Sequence, residues 1–174
     1  MSPRLRSLIA AGATAAALAL PGSGVAAPAS TSFTITGYEY AFTQTAGSFA
    51  GPGVGNMGDM IGWNALVEHD PLGSSPTYVN GGFFEIVSHS PDGSFDAVLG
   101  SIVYHSGTIT TLDTGAGCTN QQYLVTGALN DVTTTTSSGG SGMFSVTLTH
   151  YRVSLFGRCV IYKARVAGTV GFTY

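Results

Sequence analysis

The residues best suited to bind a ligand stand at the end of the stretch MFSVTLTHYRVSLFG, Met143 to Gly157. Period two places His150 and Arg152 on one face of a strand, after three apolar residues on the same face. Those three are Phe144, Val146 and Leu148. If this face looks into a barrel, the imidazole and the guanidinium lie near its mouth, where a few polar groups can orient a ligand. Arg152 would then pair with an acidic head group, and His150 would donate or accept a hydrogen bond.

A bulge near His150 would give a different arrangement. Tyr151, Val153 and Leu155 also alternate, and a bulge would let them continue the core. His150 and Arg152 would then face solvent. The sequence leaves both arrangements open.

Glu85 is a carboxylate within the largely apolar strand GGFFEIVS. Alternation puts it on one face with Phe83 and Val87, and a buried charge there needs a partner. Arg152 is that partner if the fold brings the two strands together; otherwise Glu85 points outward into solvent. We therefore predict Glu85, His150 and Arg152 as ligand-binding residues.

The densest ionisable cluster is EHD, Glu68 to Asp70. It could bind a metal or supply a general base, but alternation separates His69 from the two carboxylates, and the DPLG that follows is typical of a turn. His89 and His105 end successive strands and are expected at opposite ends of one of them. No pair of histidines occurs at i and i+2, so we predict no metal site and no cofactor.

Motifs for catalysis are missing from the sequence. GxSxG, a P-loop, HExxH and an EF-hand loop do not occur, so no residue is assigned a catalytic role. The stretch TNQQY, Thr119 to Tyr123, offers side-chain amides that could bind a sugar or a peptide, or simply cap loops near Cys118. The pattern favours a non-catalytic domain and leaves enzymatic activity open.

Residues 1–29 predict a signal peptide, and residues 30–174 a single domain. Arg4 and Arg6 precede a small, apolar run that ends in VAAPAS, with cleavage expected after Ala27 or Ala29. The uninterrupted apolar part, Leu8 to Leu20, is shorter than the roughly 20 residues that span a bilayer. We expect a secreted, soluble protein, extracellular or in the cell envelope, whose mature form has no membrane span.

Charge is sparse after the leader, where four basic and nine acidic residues leave a net charge of −5. With so few basic residues, the chain lacks the strongly basic surface of a nucleic-acid-binding protein and the polybasic patch of a membrane-surface protein. The four bases nevertheless all lie near the C-terminus, which leaves room for a local basic stripe: Arg152, Arg158, Lys163 and Arg165. Low charge with many Gly, Thr and Ser residues also leaves room for a homo-oligomer.

Two cysteines, Cys118 and Cys159, predict one disulfide in an exported chain. Neither CxxC spacing nor a nearby histidine supports a metal or redox site. A bridge closing about 40 residues stabilises by roughly 4 kcal/mol in the chain-entropy description.

The elements that must position these residues are strands. Helical periodicity is nearly absent, and β-branched and aromatic residues alternate between Gly, Pro, Asn and Asp. We predict one antiparallel domain of about eight strands. The long last strand, bent at Gly168 and Gly171, favours a β-barrel over a β-sandwich.

Local predictions follow from the same patterns. Gly-rich Ala46 to Asp59 is predicted to be a loop, Gly81 and Gly82 a bulge, and Ser90 to Gly93 a turn. In the last strand, alternation assigns six residues to the buried face: Val160, Tyr162, Ala164, Val166, Val170 and Phe172.

Three kinds of function fit this sequence. The first is a secreted non-catalytic barrel that binds a small apolar or amphipathic ligand, or a partner on its sheet. The second is a self-associating structural or surface protein. The third is a barrel enzyme of the cyclase or isomerase type, acting by positioning and one acid or base. A hollow interior would favour the first.

Overall fold

A computed structural model describes residues 30–74, 76–89 and 95–174, which are almost entirely β-strand. The nine strands are β1 Ser30–Phe42, β2 Ala46–Gly55, β3 Met60–His69, β4 Thr77–His89, β5 Phe95–Ile102, β6 Gly107–Asp113, β7 Gln121–Thr134, β8 Gly140–Leu155 and β9 Arg158–Thr173. One 3-10 turn, Ala116–Cys118, precedes β7. The predicted signal peptide and the predicted turn at Ser90 to Gly93 lie outside the described residues. Within the described part, no helix is long and apolar enough to cross a membrane.

Eight of the strands close into an antiparallel barrel. Their order is β3-β2-β1-β9-β8-β7-β5-β4, and a further pairing of β3 with β4 closes the ring. The ninth strand, β6, pairs with β4 and with β7. It therefore lies between these two strands, as β5 does. The predictions of an all-β antiparallel fold and of a barrel rather than a sandwich are confirmed.

Alternate residues of each strand fill the barrel interior with apolar side chains. Trp63 stacks on Phe84 with ring centroids 5.4 Å apart, and Phe84 contacts Phe144 at 5.8 Å. The space left among the side chains around Trp63 is about 10 Å³. Such a void holds one water at most, so this part of the interior has no room for an organic ligand.

The prediction of a loop at Ala46 to Asp59 is wrong for most of its length, because Ala46–Gly55 is strand β2. A Cβ at Gly51 would overlap the carbonyl oxygen of Thr36 on β1. The indole Nε1 of Trp63 donates to that oxygen (2.9 Å) and to the carbonyl of Pro52 (3.1 Å). Glycine is needed here to let two strands approach, rather than to break a strand.

The predicted bulge at Gly81 and Gly82 is confirmed. The pairing of β4 with β3 skips Asn80, since Gly81 opposes Glu68 and Val79 opposes His69. Gly82 has a φ of +115°, a region that favours glycine. The bulge resets the alternation of β4 and thereby fixes which of its residues face the core.

The hairpin of β8 and β9 extends beyond the barrel. Pairing of β7 with β8 starts at His150, which opposes Ala164, and pairing of β1 with β9 stops at Arg165, so residues 151–163 form a two-stranded ribbon. The buried face predicted for β9 is therefore right within the barrel, for Ala164, Val166, Val170 and Phe172. It is wrong on the ribbon, where Val160 and Tyr162 are exposed.

Candidate functional site

One end of the barrel gathers most of the predicted polar residues. Strands β1, β3 and β8 end there, and β2, β4 and β7 begin there. We call it the His150 end. His150 is only 6% exposed and lies on the inner face, as period two predicts. Its Nε2 is 2.8 Å from Oε2 of Glu39, a side chain that is itself nearly buried.

Glu39 was missed in the sequence, although a signal for it existed. It follows Phe33, Ile35 and Gly37 at period two, and these three form the buried face of β1. Room for its carboxylate depends on glycine, because a Cβ at Gly47 would lie 2.8 Å from Oε1 of Glu39. What the sequence does not reveal is that this carboxylate meets an imidazole 111 residues later.

Aromatic rings enclose the His150–Glu39 pair. Tyr123 of β7 meets the imidazole edge-on at 5.5 Å, and Phe42 lies 6.5 Å from it. Burial raises the pKa of the Tyr123 hydroxyl; the positive charge of Arg152 opposes this rise and the Glu39 carboxylate adds to it. Tyr123 therefore keeps its proton and can act as a hydrogen-bond donor at neutral pH.

Arg152 holds a loop. Its Nη1 donates to the carbonyl oxygen of Gly115, 3.1 Å away. Gly115 has a φ of +68°, and a Cβ there would lie 2.5 Å from the same Nη1. This loop also carries Cys118, whose predicted disulfide with Cys159 is present. Arg152 thus fixes the entry to β7 through a backbone partner.

A bulge does lie close to His150, but its position leaves the alternation of β8 intact. The extra residue is in β9: Tyr151 opposes Lys163 and Arg152 opposes Ile161, so Tyr162 is skipped. The alternative in which Val153 and Leu155 continue the core is wrong, since both are exposed.

Glu85 lies away from this site, on the outer face of β4, where it accepts a hydrogen bond from Nδ2 of Asn64 across the β3–β4 pair. The inner residues of this strand are its neighbours Phe84 and Ile86. Arg152 and Glu85 have different partners, and the structure does not bring them together.

The EHD cluster serves a turn. His69 is buried, with Nδ1 2.6 Å from the carbonyl oxygen of Asp70. The Asp70 carboxylate accepts from Nδ2 of Asn80 at 2.8 Å, and this bond is the main cause of the lowered pKa of Asp70. Among the described residues, no group of three or more His, Cys, Asp or Glu side chains could hold a metal ion.

A groove of about 620 Å³ opens beside β6 at the His150 end. It runs between the segment that leads into β4 and the first residues of β7. Its lining includes Leu72, Thr77, Ile109, Thr110, Gln121 and Tyr123. No charged side chain of the described residues lines it. Tyr123 belongs both to this groove and to the enclosure of His150.

No protein-family model, curated protein or solved structure matches this chain. The groove and the His150–Glu39 pair are therefore the features on which a function can be proposed.

Proposed function

We propose that this protein is an exported, non-catalytic barrel that binds a small, neutral amphipathic molecule in the groove beside Tyr123. The observation that carries the proposal is the groove itself. Its volume of about 620 Å³ falls within the roughly 300–1,000 Å³ of small-molecule sites. Leu72, Ile109 and the Tyr123 ring offer apolar surface, while threonine hydroxyls and the Gln121 amide offer hydrogen bonds.

The lack of charge in the described lining favours a neutral ligand over an acidic one. A charged head group leaving water needs an opposite charge to compensate its desolvation. Arg152, the cation closest in sequence to His150, already donates to Gly115. Hydroxyl, ether or carbonyl oxygens on the ligand would instead meet Thr110, Gln121 and the Tyr123 phenol.

The His150–Glu39 pair acts in this proposal as a support for Tyr123. The imidazole meets the tyrosine ring edge-on from the barrel interior, and the carboxylate of Glu39 fixes the imidazole. A polar group held in this way loses little freedom when a ligand arrives, which favours binding.

Export is the part of the proposal that rests on the N-terminal sequence. The basic, apolar and small-residue order of residues 1–29 supports it. The Cys118–Cys159 bridge adds support, since disulfides persist in oxidising compartments.

The binding proposal is tested by filling the groove. Thr110 is exposed on β6 and lines the groove, so Thr110→Trp should block it without touching the core. Thr169→Trp, on the exposed face of β9, is the matched control. We expect calorimetric titration with an alkyl glucoside and a monoacylglycerol to show binding by the parent and the control and loss of at least tenfold in affinity for Thr110→Trp. Failure of the parent to bind either compound, or equal binding by both variants, would contradict the proposal.

A second candidate function is acid–base catalysis, and the buried His150–Glu39 pair is what favours it. A general base must come within hydrogen-bond reach of the proton that it removes. Neither His150 nor Glu39 lines the groove, which is why binding ranks first. Turnover of a bound compound that is lost in His150→Gln, with binding retained, would establish the enzyme instead.

A further inference from the structure

The tip of the β8–β9 ribbon breaks a local rule of β-hairpins. Its two turn residues, Phe156 and Gly157, have φ values of +50° and +77°. Two-residue turns with both residues at positive φ favour Asn, Asp and Gly, and a bulky residue there is strained. Phe156 is nevertheless fully exposed, so packing against the described part of the fold does not explain an aromatic side chain there.

Further apolar side chains stand next to Phe156. Val153 opposes Val160 in the ribbon and Leu155 opposes Arg158, so these four share one face. Val153 is 38% exposed, Val160 41% and Leu155 48%. The ribbon thus ends in a continuous apolar surface that the described part of the fold leaves in solvent.

Every lysine and arginine of residues 30–174 lies in this ribbon or, for Arg165, just inside the barrel at its base. These are Arg152, Arg158, Lys163 and Arg165, and no Asp or Glu lies between positions 151 and 165. None of the four forms an ion pair with a carboxylate of the described residues. All nine acidic residues of the chain lie outside the ribbon, so the protein is electrically polarised although its net charge is negative.

We propose that the tip of this ribbon docks onto an anionic lipid surface. Phe156 and Leu155 enter the boundary between head groups and acyl chains, and Arg158 meets the anionic head groups beside them. An aromatic and aliphatic tip next to cations is the combination that interfacial binding needs, because neither apolar area nor charge holds a small element there alone.

A second copy of the chain is a weaker occupant for this surface. Tip-to-tip contact would bring together the Arg158 side chains of two ribbons that carry no carboxylate, and like charges at an interface oppose association. Nucleic acid would pair with the cations and leave the apolar tip without a role.

Distance from the tip ranks the three cations of β9. With about 3.3 Å per residue, Lys163 lies roughly 16 Å and Arg165 roughly 23 Å along the strand from Arg158. Charges farther away than the Debye length of about 8 Å are largely screened. Arg158 should therefore contribute most to docking and Arg165 least, although both substitutions change the net charge equally.

The test measures partitioning of the purified protein onto vesicles of phosphatidylcholine with one third phosphatidylglycerol, and onto phosphatidylcholine alone. We expect the parent to prefer the anionic vesicles. Phe156→Asn should weaken this binding about tenfold, the effect of taking one aromatic side chain out of an apolar environment. It should not lower stability, because Asn suits the turn.

Charge variants and a remote apolar variant complete the design. Arg158→Gln should weaken binding about fivefold, the effect of one cation near an anionic surface, while Arg165→Gln should leave it within twofold. Met57→Asn removes another highly exposed apolar side chain at the opposite end of the barrel and should leave vesicle binding unchanged.

Three results would overturn the proposal. The first is a parent protein that shows no preference for anionic vesicles. The second is binding of Phe156→Asn and Arg158→Gln equal to that of the parent, which would place docking elsewhere. The third is a parent protein that does not bind vesicles but forms oligomers that Phe156→Asn dissociates, which would make a second copy the occupant.

Discussion

Replacing His150 and replacing Glu39 should each break the His150–Glu39 pair, but the two changes should destabilise the fold by different amounts. His150→Leu leaves the Glu39 carboxylate without its imidazole at a site where the side chain is only 5% exposed. Leaving a buried carboxylate without its hydrogen-bond partner costs about 3 kcal/mol or more. Glu39→Gln keeps an oxygen that can accept from the imidazole N–H. That change should cost only about 1–2 kcal/mol, the value of one hydrogen bond.

Urea unfolding with the disulfide intact measures both costs, and Trp63, the only tryptophan, reports from the core. The double variant Glu39→Leu with His150→Leu should be destabilised by less than the sum of the two single Leu variants, since apolar replacement of both partners removes the unpaired group. Glu68→Gln, an exposed carboxylate of β3, is the control and should stay within about 0.5 kcal/mol of the parent. A His150→Leu variant within about 1 kcal/mol of the parent, or additive Leu variants, would show that the pair is not buried in solution.

Two further predictions concern single hydrogen bonds. Arg152→Met removes the bond to Gly115, so we expect a loss of about 1–2 kcal/mol and faster amide exchange in the loop before Cys118; unchanged exchange would contradict the anchoring role. Asn80→Ala removes the main cause of the lowered pKa of Asp70. A carboxyl group whose folded pKa is depressed stabilises the fold above its ordinary pKa, here 3.8, and loses that contribution as the pH falls through the folded value. The stability difference between parent and variant should therefore shrink below about pH 4, and a constant difference from pH 2 to pH 6 would refute this.

The sequence predicts the strands wherever alternation is regular, and it fails where packing between distant residues decides. Strand β2 is the clearest case. Its glycines and Pro52 resemble a loop, because local propensity cannot show that the backbone of Thr36 and Gly37 occupies the space that a side chain at Gly51 would need. The requirement for glycine arises only once the barrel closes.

In the candidate site, too, regular alternation could be predicted and contacts between distant residues could not. Period two without a bulge in β8 places His150 inside and would place Glu39 there as well, but the sequence also allowed a bulge that puts His150 in solvent. Alternation could not identify the partner of Arg152, because that partner is a backbone carbonyl and every residue has one. For Glu85 the alternation was correct, but which face is the core was not decidable from FFEI alone, where both faces carry apolar residues.

The ribbon has less support from neighbouring strands than the barrel has, and it also contains the strained turn at Phe156. Beyond His150, β8 pairs with β9 alone, so the ribbon lacks the two flanking ladders that hold every strand within the barrel. The Cys118–Cys159 bridge and the Arg152–Gly115 bond both join the ribbon to the loop before β7. These two links support the ribbon in place of the strand pairs that it lacks. The ribbon can therefore present Phe156 at a strained, exposed turn, because Cys159, two residues after that turn, is fixed covalently to the same loop that leads into Tyr123 and the groove.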